Sequence, residues 1–416
     1  MKAHFPRLCP VHCVTVTLTI VTANVGAGYT GVLAGRGQTA LIDCGGADEG
    51  AAAVDALSRL TERHCWPWWW NLRSPGKEPL PFDAFVLSHP HLDHYNGLVA
   101  LANNANPAMP PLLKADARFY HPRLPSDPVA AEATIRMVAL DCVFSGIPDF
   151  AIAQAVDACA GTHVPNEPLS QGDSLELAGE CFDVLWPPEH LPSGAIAKLR
   201  RLIKLYDEFA REAEDKGDLT LKHQLDRLRE GDHPDYASDH PRDADHASGL
   251  EAAIYARAGK RQHDDRPSPE HRQPVPLSAP PISHVEHPDY VERLKELRTA
   301  FTNGGNLLSL VLASKGACRY VFLGDLDKSL HGRVTPSLID HKPELVSSAH
   351  HGTHFSPKLK GLRSRYVVSS VGKPLTSKVK PGYSAMGMHL RTDEAGDIGV
   401  RIDPPFTYMW ARAAGP

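Results

Sequence analysis

The stretch Ser88-His89-Pro90-His91-Leu92-Asp93-His94 constrains this chain more than any other, because it sets four metal-capable side chains within six consecutive positions. It follows the apolar run Phe85-Val86-Leu87 and leads into Asn96-Gly97-Leu98-Val99-Ala100-Leu101, so a strand pattern gives way to a helix pattern across it. In an extended segment, residues two apart face the same side, which lets His89 and His91 converge on one ion. Pro90 blocks helix onset between them. Asp93 and His94 stand where the helix begins, and adjacent side chains there diverge by about 100°. Two neighbouring metal positions fit this spacing better than one, and better than a solvated His-rich loop.

At 416 residues, length alone does not decide the number of domains. A net charge of −5 argues against a chain that is basic throughout, while leaving room for a locally positive groove. Eight scattered cysteines without a CxxC pair read as reduced thiols. The mildly apolar run Val11 to Val25 is interrupted by His12, Thr15, Thr17, Thr19, Thr22 and Asn24, an alternation typical of a strand rather than of a signal-peptide core. No stretch approaches the ~18 unbroken apolar residues that a bilayer requires. The expectation is a cytoplasmic protein with no membrane partner.

Period-two runs at Cys13–Asn24, Tyr29–Ala34 and Thr39–Asp43, joined by glycine turns, predict an antiparallel sheet. Asp43, before Cys44-Gly45-Gly46, reads equally as a turn residue or as a brace behind the metal loop. Helical patterns cover Glu49–Arg63, the segment to Asn103, and Asp127–Val143, and Ser174–Trp186 reads as a hairpin. Trp66, Trp68, Trp69 and Trp70 suit core packing first, and a base-stacking or partner patch second. Amphipathic helices follow over 195–229, then a stretch over 231–288 dense in Pro, Asp, Arg and His with little periodicity. Its seven histidines lack ligand-like spacing, and it reads as a flexible surface insertion. A helix at Tyr290–Phe301 and strands at 307–313, 319–323, 365–371 and 396–402 complete the chain, the last of these reading as the final strand. The expected organisation is a first half at 1–190, an insertion at 191–303 and a second half at 304–416.

His89, His91, Asp93 and His94 match the HxHxDH signature of the metallo-β-lactamase superfamily, which the chain therefore resembles. Later landmarks come in that superfamily's order: Pro188-Glu189-His190 at a hairpin end, Gly324-Asp325 after a strand, and His350-His351-Gly352. A narrower likeness, to the C-terminal domain of ComEC-type DNA-uptake channels, rests on Asn24-Val-Gly-Ala-Gly, Val184-Leu-Trp-Pro-Pro, Asn306 with Ser309-Leu-Val-Leu, His350-His-Gly-Thr and Arg391-Thr-Asp. The channel's membrane helices are absent from this sequence, and Lys380-Pro381 stands where that domain often has His-Pro.

The resemblance implies an α+β fold, an αββα sandwich of two mixed sheets flanked by helices and carrying a large helical and irregular insertion. It implies two divalent ions, Zn²⁺ first and Mn²⁺ second. His89, His91 and His190 would hold one ion, while Asp93, His94 and either His350 or His351 would hold the other. Asp325 would bridge them, and turnover would rest on Asp93, Asp325 and His351. His121 and His163 compete with His190. Thr353, His354 and Ser356 are candidates for phosphate contact. The implied function is a soluble phosphodiesterase or nuclease acting on nucleic acid or nucleotide through metal-activated water. The alternatives are hydrolysis of a non-nucleotide ester, lactone or phosphocholine-type phosphodiester, and a metal-stabilised binding module that recruits a partner protein through its insertion.

Overall fold

The apolar runs of the sequence become, in the computed structural model, two mixed β-sheets packed face to face between helices. The structure describes residues 17–61, 81–103, 111–145, 152–230, 288–316 and 319–412. The tryptophan cluster at 66–70 and residues 231–287 with their histidines lie outside these.

Strands are numbered along the chain. The first sheet holds β1 (Leu18–Thr22), β2 (Thr30–Gly35), β3 (Gln38–Cys44), β4 (Phe82–Val86), β5 (Leu113–Pro122), β6 (Asn166–Leu169), β14 (Asp397–Asp403) and β15 (Phe406–Arg412), in the order β15-β14-β1-β2-β3-β4-β5-β6. The second holds β7 (Ser174–Leu177), β8 (Glu180–Trp186), β9 (Val311–Ser314), β10 (Tyr320–Phe322), β11 (Leu345–Ser347), β12 (Tyr366–Ser369) and β13 (Met388–Arg391), in the order β13-β12-β11-β10-β9-β8-β7. Each sheet is parallel on one side, β3 to β6 or β10 to β13, and antiparallel on the other. The tight connections explain the antiparallel parts. Arg36-Gly37 and Ala178-Gly179 are two-residue hairpin loops with both residues at positive φ, the geometry that matches strand twist.

Ile20, Leu33, Ile42, Val86, Phe182, Leu312, Phe322 and Val400 fill the space between the sheets. Their strand neighbours Val21, Leu41 and Phe85 point outward under helices, so these strands read as unbroken apolar runs. Helices α1 (Ala51–Thr61), α2 (Asn96–Asn103), α3 (Pro128–Ser145) and α4 (Ile152–Ala160) belong to the outer layer of the first half. Helices α5 (Ser193–Asp215), α6 (Thr220–Glu230) and α7 (Pro288–Asn306) pack on α3. The expected stripe of α5 is buried there: Ile196, Leu199, Leu202, Tyr206 and Phe209. Helix α8 (His331–His341) lies against β8 and β9.

The expected αββα sandwich is the observed fold. One expectation is corrected: the strand at 397–403 is not the last, because β15 follows a Pro404-Pro405 turn and pairs with it along its whole length. Phe406, Tyr408 and Met409 of this edge strand are exposed, so the segment carries no buried-face alternation.

Candidate metal centre

The loops that follow β4, β10 and β11 all leave the carboxyl ends of parallel strands, the usual place for a site in a mixed α/β sheet. One of these strands belongs to the first sheet and two to the second, so the centre lies at the seam between the sheets. A backbone hydrogen bond closes the seam, Leu310 N donating to Ser88 O at 2.8 Å, and within the second sheet His350 N donates to Gly324 O at 3.0 Å, joining the two loops that follow β10 and β11.

The Oδ2 atom of Asp325 stands among four imidazole nitrogens, 3.4 Å from His94 Nε2, 3.6 Å from His351 Nε2, 3.9 Å from His350 Nε2 and 4.0 Å from His89 Nε2. His351 Nε2 is also 3.5 Å from Asp93 Oδ2, and His94 Nε2 is 3.9 Å from Asp93 Oδ1. Two donors each ~2.1 Å from a tetrahedral ion lie ~3.4 Å apart, so these separations are near the edges of such a polyhedron. Two groups can hold an ion: Asp93, His94 and His351, and His89, His94 and Asp325. His91 Nδ1 faces His89 Nε2 at 2.9 Å, adding a further nitrogen on that side. His94 Nε2 and both ring nitrogens of His351 are buried without a well-formed hydrogen bond. A divalent ion would satisfy such a donor set.

Asp43 braces the loop from behind. At the end of β3 it accepts from Ser88 N at 2.6 Å, Ser88 Oγ at 2.7 Å and His94 Nδ1 at 2.7 Å. A carboxylate on Nδ1 fixes the tautomer that leaves Nε2 free, the usual support behind a metal-binding histidine. Ser88 Oγ stands 3.0 Å from His89 Nδ1 and can do the same for that ring. Backbones crowd together to permit this, since a Cβ on Gly45 would come within 1.9 Å of Asp93 O.

The electrostatics match. Burial pushes the His89 imidazole well below its ordinary range and that of His91 to about 4, so both rings are neutral near pH 7. Burial also opposes protonation of His94 and His351, but facing carboxylates win and raise both: Asp325, Asp43 and Asp93 for His94, and Asp325 and Asp93 for His351. Burial would raise Asp325, yet His351, His350 and His94 hold it well below the carboxylate range. Without an ion, the neighbouring carboxylates favour the protonated forms of His94 and His351.

The late turn holds its histidines under strain: His350 (φ 48°) and His351 (φ 54°) are both left-handed, and Gly352 follows at φ 82°. Tyr383 steadies it, its hydroxyl accepting from Ala349 N at 3.0 Å. His351 joins a ligand group; His350 does not, and its Nδ1 faces the Asn306 side-chain amide at 2.9 Å. His190 is exposed in the turn between β8 and α5 and joins neither group. His121 is buried with Nδ1 on Pro122 O, and exposed His163 faces Asp157. Thr353 donates from Oγ1 to His350 O, and Ser356 caps the following turn. Sequence reasoning did not assign Ser88, Asn306, Gly305 or Phe301 a role. The Phe301 ring lies 4.9 Å from the His91 ring, and Gly305 gives that ring room. Asn306 had appeared only as part of a motif of the narrower likeness, and the Gly304-Gly305 pair stands beyond the expected end of the helix at Phe301.

Residues 23–140 match the model of the metallo-beta-lactamase superfamily. Among proteins of curated function, none matches this sequence. Solved structures that are similar include MEM-A1, a subclass B3 metallo-beta-lactamase from a soil metagenome library, at 13% identity and TM-score 0.21, covering 41% of this chain and 50% of that one. The metallo-beta-lactamase fold protein YhfI from Bacillus subtilis aligns at 12% identity and TM-score 0.23 over 41% of this chain and 53% of that one. Zn²⁺-bound PqqB from Methylobacterium extorquens aligns at 8% identity and TM-score 0.37 over 90% of this chain and 97% of that one. This chain thus spans about half the length of the first two.

Proposed function

We propose that this chain, which carries the metallo-beta-lactamase superfamily region over residues 23–140 within a metallo-β-lactamase fold, is a metal-dependent hydrolase of phosphodiesters whose substrate is a nucleic acid or nucleotide. One observation carries the reading: a single carboxylate oxygen, Asp325 Oδ2, lies within 4.0 Å of four imidazole nitrogens drawn from both sheets. That arrangement supports two adjacent ion positions sharing Asp325. His89 and His91 would complete one, and Asp93, His94 and His351 the other. Bound by these residues, two divalent ions, Zn²⁺ or Mn²⁺, would supply a water of lowered pKa and electrostatic stabilisation of a phosphodiester displacement. The residues around them keep the imidazoles oriented, through Asp43 and Ser88, while half-buried Phe301 and buried Gly305 back the His91 ring. His350, outside both groups, would give a hydrogen bond to the substrate or to a leaving oxygen. The finer likeness to the DNA-uptake domain, carried by the motifs quoted above, favours a nucleic-acid substrate.

The test is elemental analysis of purified protein together with turnover of bis-(p-nitrophenyl) phosphate, nucleotides and oligonucleotides. About two equivalents of metal are expected, with Asp325→Ala losing metal and at least ~10²-fold in turnover. Hydrolysis of esters or lactones with no turnover of any phosphodiester would replace this substrate class.

A further inference from the structure

Between Glu344 and Asp393 the chain has eight Lys or Arg residues and not one Asp or Glu, although the whole protein is net negative at −5. At the chain's overall 49 acidic residues in 416, a stretch of this length would hold about five or six. Arg391 is paired with Asp393 and Glu394. The other seven, Lys358, Lys360, Arg363, Arg365, Lys373, Lys378 and Lys380, are exposed, and among the described residues none of them makes an ion pair. A solvated charge run is normally interspersed with partners, and this one is not.

Its position ties it to the centre. Lys358 and Lys360 lie on the one-turn helix Pro357–Gly361, which begins three residues after His354. Lys380 N donates to Gly352 O at 2.9 Å, which fastens the Lys378–Lys380 segment against the turn that carries His351. Exposed Lys328 follows the Asp325 turn.

We infer that Lys358, Lys360, Lys373, Lys378 and Lys380 form a track for the phosphate backbone of a nucleic-acid strand that runs past the metal centre. The inference rests on the phosphodiesterase reading and narrows it: the substrate is a polymer gripped at several phosphates rather than a single nucleotide. Surface cations clustered without acidic partners raise the local concentration of a polyanion, and each phosphate contact adds to the salt dependence of binding.

Binding of a fluorescein-labelled 20-mer single strand and its duplex to the full-length protein, in EDTA and across a range of salt, tests this without requiring turnover. Wild type is expected to bind with a steep negative slope of log affinity against log salt. Lys358→Glu/Lys360→Glu and Lys378→Glu/Lys380→Glu are each expected to weaken binding at least ~10-fold and to flatten the slope by about one per charge removed. The control Lys204→Glu/Lys222→Glu, on α5 and α6, is expected to change neither, and hydrolysis of bis-(p-nitrophenyl) phosphate is expected to stay intact in all three. Small-substrate turnover with no strand binding overturns the track and leaves the hydrolase reading standing. Equal losses in the control, or binding to anionic vesicles but not to nucleic acid, also overturn it.

Discussion

Asp43 shows how far a single side chain reaches, since it orients His94 and holds the Ser88 turn at once. Asp43→Asn keeps the shape but loses the charge that sets the His94 tautomer, so metal affinity is expected to fall about 10- to 100-fold, read by competition with a chromogenic chelator. Because facing carboxylates raise the affinity of His94 and His351 for protons that compete with an ion, metal binding is expected to release protons and to tighten as pH rises; calorimetry in buffers of different ionisation enthalpy reads this directly. Asp141 offers a second test, made on the metal-free protein because Asp93 adds to its shift. Burial lifts it to about 7 against the hydrogen bond donated by the Tyr95 hydroxyl. The folded state keeps this proton while the unfolded chain releases it near pH 4, so folding stability falls from about pH 4 to about pH 7 and then levels, by up to about 4 kcal/mol. Asp141→Asn is expected to raise the melting temperature above pH 7, with the gain vanishing towards pH 4; a gain independent of pH would discard this account. The residues of the HxHxDH loop were legible because their chemistry and spacing are both rare. Asp43 was legible only as one of two roles, and Ser88 not at all, because a serine beside a histidine is common and only the fold shows what lies behind it.

At the scale of elements, the C-terminal end of α7 forms a wall of the centre. A Cβ on Gly305 would stand 2.1 Å from His91 Nε2, so Gly305→Ala must push either the helix or the ring. The expected result is loss of about one metal equivalent, or at least ~10-fold weaker binding of it, with the far-ultraviolet spectrum unchanged. His190→Ala, in contrast, is expected to keep the wild-type stoichiometry by elemental analysis, since that side chain is exposed. Strands β1 and β3 were readable from period-two patterns, and β9 and β10, buried on both faces, from apolar runs. Helix α8 was not, because Gly332 and Pro336 punctuate its pattern and only packing against β8 and β9 makes a helix of it. The short β6 and β13 carry too few alternating residues to register.

Over the whole molecule, the two ends of the described chain close the first sheet. Strand β14 pairs along β1, and Asp397 accepts from Asn24 N at 2.7 Å while pairing with Arg59 of α1. Truncation before Asp397 is expected to expose β1 and abolish a single cooperative unfolding transition, read by coincidence of fluorescence and circular dichroism. Phe182→Ala, between the sheets, is expected to cost about 3–5 kcal/mol in denaturant melts. The sandwich was legible as a class from its recurring units. The pairing of the last strands with the first was not, because contacts between residues almost four hundred positions apart leave no local pattern. The same separation governs when the metal centre can exist. Its donors stand at 89–94 and at 325–351, on opposite sides of the seam, so a growing chain has no complete site until residue 351 has left the ribosome. An ion held there marks a chain whose two sheets have already met. Chelation is therefore expected to quicken hydrogen exchange at the seam, at the Leu310 amide, before either sheet melts.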